Sequence, residues 1–101
     1  MIRVQSLINL LKKNDINFFS GVPDSVLKEL SKFLDRKTKK NHVIATNEGS
    51  AVSIGIGHYL ATNKIPCIYM QNSGLSNALN PLFSIAHQKV YSIPLILVIG
   101  W

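Results

Sequence analysis

The sequence predicts an α/β fold of three layers, in which a parallel sheet has helices on both faces. Apolar segments of strand length alternate with helical patterns along the whole chain, the order expected of strand–helix–strand units. These segments are almost continuously apolar, as in strands that are buried on both sides. With 101 residues, 47% of them hydrophobic, the chain has the size and composition of one globular domain.

The first half of the chain is predicted to contain two helices and two strands. Apolar residues recur at helical spacing over residues 2–13, which indicates an amphipathic helix. A short strand is expected at residues 16–20, and Asp24 is the expected N-cap of the helix that follows. A basic connector ends this second helix. Residues 42–46 form the second predicted strand.

The second half repeats this alternation. A helix is expected from Glu48 to Asn63, and an apolar strand at residues 65–70. The next helix is expected at residues 74–89 and should be kinked near Pro81, because proline interrupts helical hydrogen bonding. Residues 93–99 form the fourth predicted strand. Neither an internal repeat nor a low-complexity linker interrupts the order.

Small, polar and glycine-bearing segments follow the first three strands. They are Gly21–Ser25, Asn47–Ser50 and Gln71–Gly74. The carboxyl ends of parallel strands lie at one edge of a sheet, and open α/β sheets bind ligands outside that edge. The sequence therefore predicts that these three segments form the functional site.

Glu48 is the charged residue in this set with two competing interpretations. In the first turn of a helix, free backbone N–H groups and the helix dipole stabilise a carboxylate, so capping alone would explain it. However, Gly49, Gly55 and Gly57 follow it in the same helix, and an interior glycine costs up to about 1 kcal/mol. A helix with so little side-chain bulk indicates close approach by the sheet, by another subunit or by a flat ligand.

The net charge of +6 is concentrated in one part of the chain. Five of the eleven basic residues are Lys32, Arg36, Lys37, Lys39 and Lys40. This cluster lacks interleaved aromatic residues and a recognition helix, so a solvated connector is favoured over a nucleic-acid interface. We therefore expect no nucleic-acid partner.

Composition and spacing argue against several other classes. The three histidines and single cysteine show no metal-ligand spacing, so no metal site is predicted within the chain. Cys67 is expected to be buried and inert, and the absence of a disulfide favours the cytoplasm. The longest apolar run, residues 93–101, is too short to span a bilayer, and the N-terminus does not resemble a signal peptide.

Three motifs in register resemble the pyrimidine-binding domain of thiamine-diphosphate-dependent decarboxylases. They are Gly21–Ser25, Asn47–Val52 and Gln71–Pro81. The resemblance covers nearly the whole chain. It is strongest to members that act on 3-phosphonopyruvate, and next to the alpha subunit of those that act on sulfopyruvate. It implies that residues 1–101 form this domain, incomplete at its C-terminus.

The resemblance also implies roles for individual residues. Glu48 matches the catalytic glutamate, which hydrogen-bonds N1′ of the cofactor's aminopyrimidine, and Pro23 and Asn72 match other cofactor-binding positions. The positions that match substrate-facing segments are Asp24, Ser25, Ser73 and Asn77. The expected cofactor is thiamine diphosphate, which provides the electron sink for decarboxylation while the protein provides orientation and polarity.

The resemblance further implies a partner. The Mg²⁺ ion would be held by a diphosphate-binding domain whose Gly-Asp-Gly motif is absent from these residues. That domain is expected from the same full-length protein or a separate subunit, in a homo-oligomer, and this chain is not expected to be active alone. The expected reaction converts a small anionic 2-oxo acid, first 3-phosphonopyruvate, to an aldehyde and CO₂. The alternative is a non-catalytic assembly module in which the glycine-rich helix is a packing surface.

Overall fold

The computed structural model describes residues 2–101, except for the side chain of Lys39. Within them, helices and strands alternate as expected. The helices are Val4–Lys13 (α1), Lys28–Lys37 (α2), Glu48–Thr62 (α3) and Leu75–Pro81 (α4). The strands are Phe19–Gly21 (β1), His42–Ile44 (β2), Cys67–Gln71 (β3) and Ile96–Gly100 (β4). Short 3-10 turns occur at Lys39–Asn41 and Asn72–Gly74, and a π-helical turn occurs at Leu82–Ala86.

The four strands form one parallel sheet in the order β2–β1–β3–β4. The connection from β1 runs outward to β2, whereas the connection from β3 runs in the opposite direction to β4. Parallel sheets bind ligands at such a switch point, beyond the carboxyl ends of the strands. The topology therefore places the three polar segments at the edge where the sequence predicts a site.

Helices cover both faces of the sheet, which confirms the predicted three-layer fold. On one face, α1 and α2 pack against β1 and β3. The buried residues of this core are Ile8, Leu11, Ile16, Phe19, Leu30, Leu34, Cys67 and Tyr69. On the other face, α3 and α4 pack against β3 and the ends of β2 and β4. The buried residues there are Ala45, Ala51, Val52, Ile56, Ile68, Met70, Ala78 and Ile93.

Two asparagines set the ends of α3, the longest helix described. The side-chain oxygen of Asn47 accepts a hydrogen bond from the backbone N–H of Ser50 at 2.8 Å, which satisfies one of the free N–H groups of the first turn. Asn63 adopts a left-handed conformation with φ of 59°, and its N–H donates to the Tyr59 carbonyl. The helix therefore begins at Glu48, as predicted from the sequence.

The prediction that Asp24 is the N-cap of α2 is wrong. Its Oδ1 atom accepts hydrogen bonds from the backbone N–H groups of Val26 at 2.7 Å and Leu27 at 2.9 Å. However, these two residues lie in a bend, and α2 begins only at Lys28. The delay has a packing reason, since both apolar side chains lie against Gly100 at the end of β4. Asp24 thus stabilises the loop rather than the helix.

The predicted helix over residues 74–89 is too long, although its interruption near Pro81 is confirmed. The α-helix ends at Pro81, a π-helical turn follows, and the chain leaves helical geometry at His87. Because proline has no N–H, it cannot donate to the carbonyl of Asn77 four residues earlier. The backbone then reaches β4 through turns closed by hydrogen bonds such as that from Ile93 N–H to Ala86 O.

The strands also differ from their predicted bounds. β1 and β4 are displaced toward the C-terminus, and β2 ends at Ile44, two residues earlier than expected. β1 and β2 are short, and they pair over only three residues each. No helix in the described part of the chain has both the length and the hydropathy needed to cross a membrane.

Candidate active site at the carboxyl edge of the sheet

Glu48 is the first residue of α3, immediately after the Asn47 cap. Its position at the helix N-terminus exposes the carboxylate to the positive end of the helix dipole. The residue is half-buried rather than solvated. Capping therefore accounts for the start of the helix through Asn47 and leaves the Glu48 side chain available for other contacts.

The Glu48 side chain extends across the start of α4. Its Oε2 atom accepts a hydrogen bond from the Asn77 amide, with Nδ2 to Oε2 at 3.0 Å. The same side chain lies over Gly74, where a Cβ atom would be 2.5 Å from the Glu48 carboxyl carbon. Only a residue without a side chain fits there unless Glu48 moves. Gly74 and Asn77 thus fix the orientation of the carboxylate.

The backbone of α4 also meets α3 closely. A Cβ atom at Gly49 would lie 2.7 Å from the carbonyl oxygen of Asn77. Pro81 has no N–H to donate to this carbonyl. The helix interruption therefore leaves the Asn77 carbonyl oxygen close to Gly49 of α3. The proline, the glycine and the Glu48–Asn77 hydrogen bond therefore belong to one contact between α3 and α4.

Asp24 occupies the loop after β1 and is half-buried. Its Oδ1 atom is used by the two backbone N–H groups of the bend. Its Oδ2 atom is buried and has no hydrogen-bond partner among the described residues. A buried oxygen without a partner costs about 1–3 kcal/mol, so this acceptor is a candidate for binding a donor supplied by a ligand or by another chain.

The remaining predicted site residues lie on the same edge but are less enclosed. Pro23 and Ser25 are exposed in the loop that contains Asp24, and Ser73 is exposed in the 3-10 turn after β3. Asn72 opens that turn and is half-buried. The structure therefore joins Glu48 and Asn77 directly, whereas Asp24 makes its hydrogen bonds within its own loop.

A chain of hydrogen-bonded polar side chains is buried on the α1/α2 face, and the sequence reasoning missed it. The fully buried His42 ring contacts Asp35 through Nδ1 at 3.1 Å and the Tyr69 hydroxyl through Nε2 at 2.7 Å. A carboxylate only accepts hydrogen bonds, so Nδ1 donates to Asp35, and in the corresponding neutral tautomer Nε2 accepts from the Tyr69 hydroxyl. Burial, together with the charges of Asp35 and Asp24, raises the pKa of Tyr69.

Tyr69 connects these hydrogen-bonded side chains to the loop after β1. A Cβ atom at Gly21 would lie 2.6 Å from the Tyr69 ring, so the ring fills the space beneath the start of the Gly21–Ser25 segment. No sequence signal identifies this pairing, because Tyr69 lies in an apolar strand and His42 at the start of another. The contact depends on the parallel register, in which Gly21 is opposite Tyr69.

The structure distinguishes the glycines of α3. A Cβ atom at Gly55 would lie 2.7 Å from the Ile68 side chain, whereas one at Gly57 would meet nothing within 4 Å. Close approach by the sheet therefore explains Gly55, and close approach by α4 explains Gly49. Gly57 is exposed, and no contact among the described residues requires it.

The histidine of this helix, His58, has a structural environment. His58 stacks on Phe18 with ring centroids 4.2 Å apart, and burial, with the nearby charge of Lys64, lowers its pKa. Among the described residues, no group of three or more His, Cys, Asp and Glu side chains is arranged to hold a metal ion.

A family model described as the N-terminal TPP binding domain of thiamine pyrophosphate enzymes matches residues 3–101. The chain belongs to this family. The match spans all three polar segments and every predicted site residue. It confirms the family indicated by the motifs at the three strand ends.

Curated relatives resemble the chain over nearly its whole length. Sulfopyruvate decarboxylase subunit alpha of Methanocaldococcus jannaschii is 37% identical over 95 residues, which are 94% of this chain and 54% of that protein. Phosphonopyruvate decarboxylase of Streptomyces viridochromogenes is 31% identical over 101 residues, which are 100% of this chain and 25% of that protein. The chain thus spans between a quarter and about half the length of these relatives.

Solved structures show the same architecture. Benzoylformate decarboxylase from Polynucleobacter necessarius superposes with a TM-score of 0.80 at 29% identity, over 99% of this chain and 18% of that one. A thiamine diphosphate-dependent 4-hydroxybenzoylformate decarboxylase from Rhodococcus jostii RHA1 gives 0.76 at 23% identity, over 96% of this chain and 18% of that one. At that lower identity the likeness concerns the fold alone.

Proposed function

We propose that residues 1–101 form the pyrimidine-binding half of a thiamine-diphosphate-dependent 2-oxo acid decarboxylase. The observation that carries the proposal is the half-buried Glu48 carboxylate at the start of α3, held by Asn77 over Gly74. Capping does not require this arrangement, because Asn47 already caps the helix. Membership of the family supports the same function.

The residues at this edge fit an aminopyrimidine. Glu48 offers carboxylate oxygens to a ring nitrogen that carries a proton, and Asn77 keeps one of those oxygens oriented. Glu48 thereby holds or transfers a proton at N1′, in a partly desolvated position where the interaction with a ligand is stronger than in water. Pro23 and Asn72 would line the same group. When bound, thiamine diphosphate supplies the electron sink for the bonding electrons released with CO₂.

The loop after β1 is the proposed substrate-facing side. The buried Oδ2 atom of Asp24 has no partner among the described residues, so it can accept a hydrogen bond from a substrate or from protonated groups of a partner. Ser25 and Ser73 are exposed on the same edge and offer hydroxyl donors. Together with Asn77 they form a polar rim around the proposed pyrimidine site.

The proposed substrate is a three-carbon 2-oxo acid with an anionic tail. The relatives support sulfopyruvate as the first candidate, since identity is 37% to a sulfopyruvate decarboxylase subunit and 31% to a phosphonopyruvate decarboxylase. The motifs alone favour 3-phosphonopyruvate, which would give phosphonoacetaldehyde and CO₂. Neither Lys nor Arg occurs in the three polar segments, so the charge that recognises the tail would come from backbone N–H groups or a partner.

The proposal includes a second protein unit. A diphosphate-binding domain, in the same protein or in a separate subunit, would hold Mg²⁺ and the diphosphate and would complete the site in an oligomer. The words "subunit alpha" in the names of the sulfopyruvate relatives support a partner subunit. We propose a cytoplasmic enzyme, in keeping with a buried free cysteine and the absence of a disulfide among the described residues.

The decisive experiment replaces Glu48 by Gln in the assembled enzyme with thiamine diphosphate and Mg²⁺. Turnover of sulfopyruvate and of 3-phosphonopyruvate should fall by about 10²–10⁴-fold, the usual contribution of a positioned proton-transfer group. Glu29→Gln is the matched control, because Glu29 is an exposed glutamate in the first turn of α2, and it should leave turnover unchanged. Unaltered turnover in Glu48→Gln would overturn the proposal.

A further inference from the structure

A basic cavity lies at the amino-terminal edge of the sheet, opposite the candidate active site. Its volume is about 500 Å³. The cationic and amide side chains that line it are Lys12, Arg36, Lys37, Lys40, Asn17 and Asn41. They come from the end of α1, the approach to β1, the end of α2 and the turn before β2. The fold thus brings Lys12 and Asn17 together with part of the basic connector on one concave surface.

The helix dipoles account for only part of this charge. α1 and α2 both end at the cavity, and each C-terminus carries about half a negative elementary charge. The four cationic side chains carry four positive charges, and the two helix ends together carry about one negative charge. Roughly three positive charges are therefore left over. Moreover, part of the carbonyl charge at the end of α2 is already satisfied, because the Thr38 hydroxyl donates to the Leu34 carbonyl at 2.9 Å.

Carboxylates do not neutralise the excess. None lines the cavity among the described residues. The two aspartates nearest in sequence do not line the cavity, and each has a partner of its own. Asp35 lies against the His42 ring at 3.1 Å. Asp15 pairs with Lys64 at 3.3 Å and accepts one hydrogen bond from the amide of the lining residue Asn17, also at 3.3 Å. The cavity therefore retains a net positive charge, and its ligand should be an anion.

We propose that this cavity binds a small polyphosphate, either free or as part of a nucleotide. A guanidinium group matches phosphate oxygens with two parallel hydrogen bonds, ammonium groups add point charges, and asparagine amides add neutral donors. A cavity of 500 Å³ lies within the range of small-ligand sites. Since no aromatic side chain among the described residues lines it, it lacks the stacking platform that single-stranded nucleic acid uses.

The test is calorimetric titration of the full chain with tripolyphosphate at about 0.15 M ionic strength, where the Debye length is about 8 Å. The cavity variant is Arg36→Gln/Lys37→Gln/Lys40→Gln. The matched control is Arg3→Gln/Lys28→Gln/Lys89→Gln, which removes the same charge from exposed residues that do not line the cavity. The cavity variant should bind about tenfold or more weakly, and the control should change affinity by less than about threefold, because exposed charges beyond the Debye length are screened.

A second measurement does not depend on folding of the variants. Backbone amide resonances of the wild-type chain, recorded during the same titration, should shift at Asn17, Thr38 and Asn41. Binding of ATP as tightly as tripolyphosphate would support a nucleotide source, and much weaker binding would support free polyphosphate. The proposal is overturned by absence of binding, by equal losses in both triple variants, or by an oligonucleotide that binds more tightly per phosphate than tripolyphosphate.

Discussion

The two faces of the sheet are packed by different means. On the α1/α2 face the fully buried side chains are large, as in Ile8, Phe19, Leu34 and Tyr69, and the buried histidine and tyrosine groups satisfy each other through hydrogen bonds. On the α3/α4 face the helices bury small residues. These are Ala51, Val52 and Gly55 beside Ile56 in α3, and Ala78 and Pro81 in α4.

This difference separates support from function. Small residues let α3 approach α4 so closely that the Glu48 side chain rests on Gly74 and reaches Asn77. Large residues on the opposite face hold Tyr69 beneath Gly21, where the loop with Asp24 begins. We call the α1/α2 face the supporting face and the α3/α4 face the working face. Substitutions on the supporting face should lower stability by creating cavities and unpaired polar groups. Substitutions on the working face should act through steric overlap with Glu48.

The largest expected effect is that of His42→Ala on the supporting face. The substitution removes a fully buried ring and leaves the Tyr69 hydroxyl without a partner. The cavity and the unsatisfied group together should lower the free energy of unfolding by about 3–4 kcal/mol. Urea denaturation of the variant and the wild type measures this difference, and a loss below about 1 kcal/mol would show that the polar chain does not stabilise the face.

Tyr69→Phe provides the companion measurement. It removes the hydroxyl but keeps the ring beneath Gly21, so the expected loss is smaller, about 1–2 kcal/mol. The double variant His42→Ala/Tyr69→Phe should lose less than the sum of the single losses, because residues joined by a hydrogen bond do not contribute additively. Strict additivity would contradict the contact between His42 and Tyr69.

A smaller effect is expected for Gly74→Ala on the working face. The added methyl group would lie 2.5 Å from the Glu48 carboxyl carbon, so Glu48 must move and the hydrogen bond to Asn77 should weaken. Overlap of this kind costs about 1–3 kcal/mol, measured by urea denaturation. Removing the obstacle in Glu48→Ala/Gly74→Ala should recover part of the loss, and no recovery would place the strain elsewhere.

Gly57→Ala is the matched control for that experiment. It adds the same methyl group on the same side of the sheet, but at a position where nothing lies within 4 Å. The only expected change is the higher helix propensity of alanine relative to glycine, so the free energy of unfolding should rise by up to about 1 kcal/mol. A loss at Gly57 comparable to that at Gly74 would mean that glycine is needed for a reason other than contact with Glu48.

Local patterns in the sequence were sufficient to predict the three layers, the parallel sheet and the first residue of α3. Its polar cap, Asn47, and the apolar strands are local signals. The Glu48–Asn77 contact was not predictable as a pair, because it depends on how α3 meets α4. Only the glycines of α3, at positions 49, 55 and 57, indicated a close approach, without identifying what approaches.

Other features failed for tertiary reasons. Asp24 was expected to cap α2, but packing of Val26 and Leu27 against Gly100 delays the helix. The basic connector was expected to be solvated, and its described basic side chains are exposed. What the pattern did not indicate is that Lys12 and Asn17 line the same cavity. A sequence pattern cannot indicate such convergence, because it depends on the arrangement of segments around the sheet.

The last predicted effect concerns alkaline pH and again distinguishes the faces. Cys67 is buried on the supporting face, and burial raises the pKa of its thiol from 9.0 to about 12. Above pH 9 the unfolded chain releases this proton while the folded chain retains it, so stability is lost progressively between pH 9 and 12. At pH 10 the loss should be on the order of 1 kcal/mol. The buried Ser20 hydroxyl on the opposite face makes no such contribution, because it does not titrate in this range.

Cys67→Ala isolates this contribution. Lysines and tyrosines titrate in both proteins. The difference between the two curves of unfolding free energy against pH therefore reports Cys67 alone. The variant should be somewhat less stable at pH 7, where a small cavity replaces the sulfur, and the gap should narrow as the pH rises from 8 to 10. Parallel curves would mean that the thiolate is tolerated in the folded state, and hence that the α1/α2 face admits water at the level of β3.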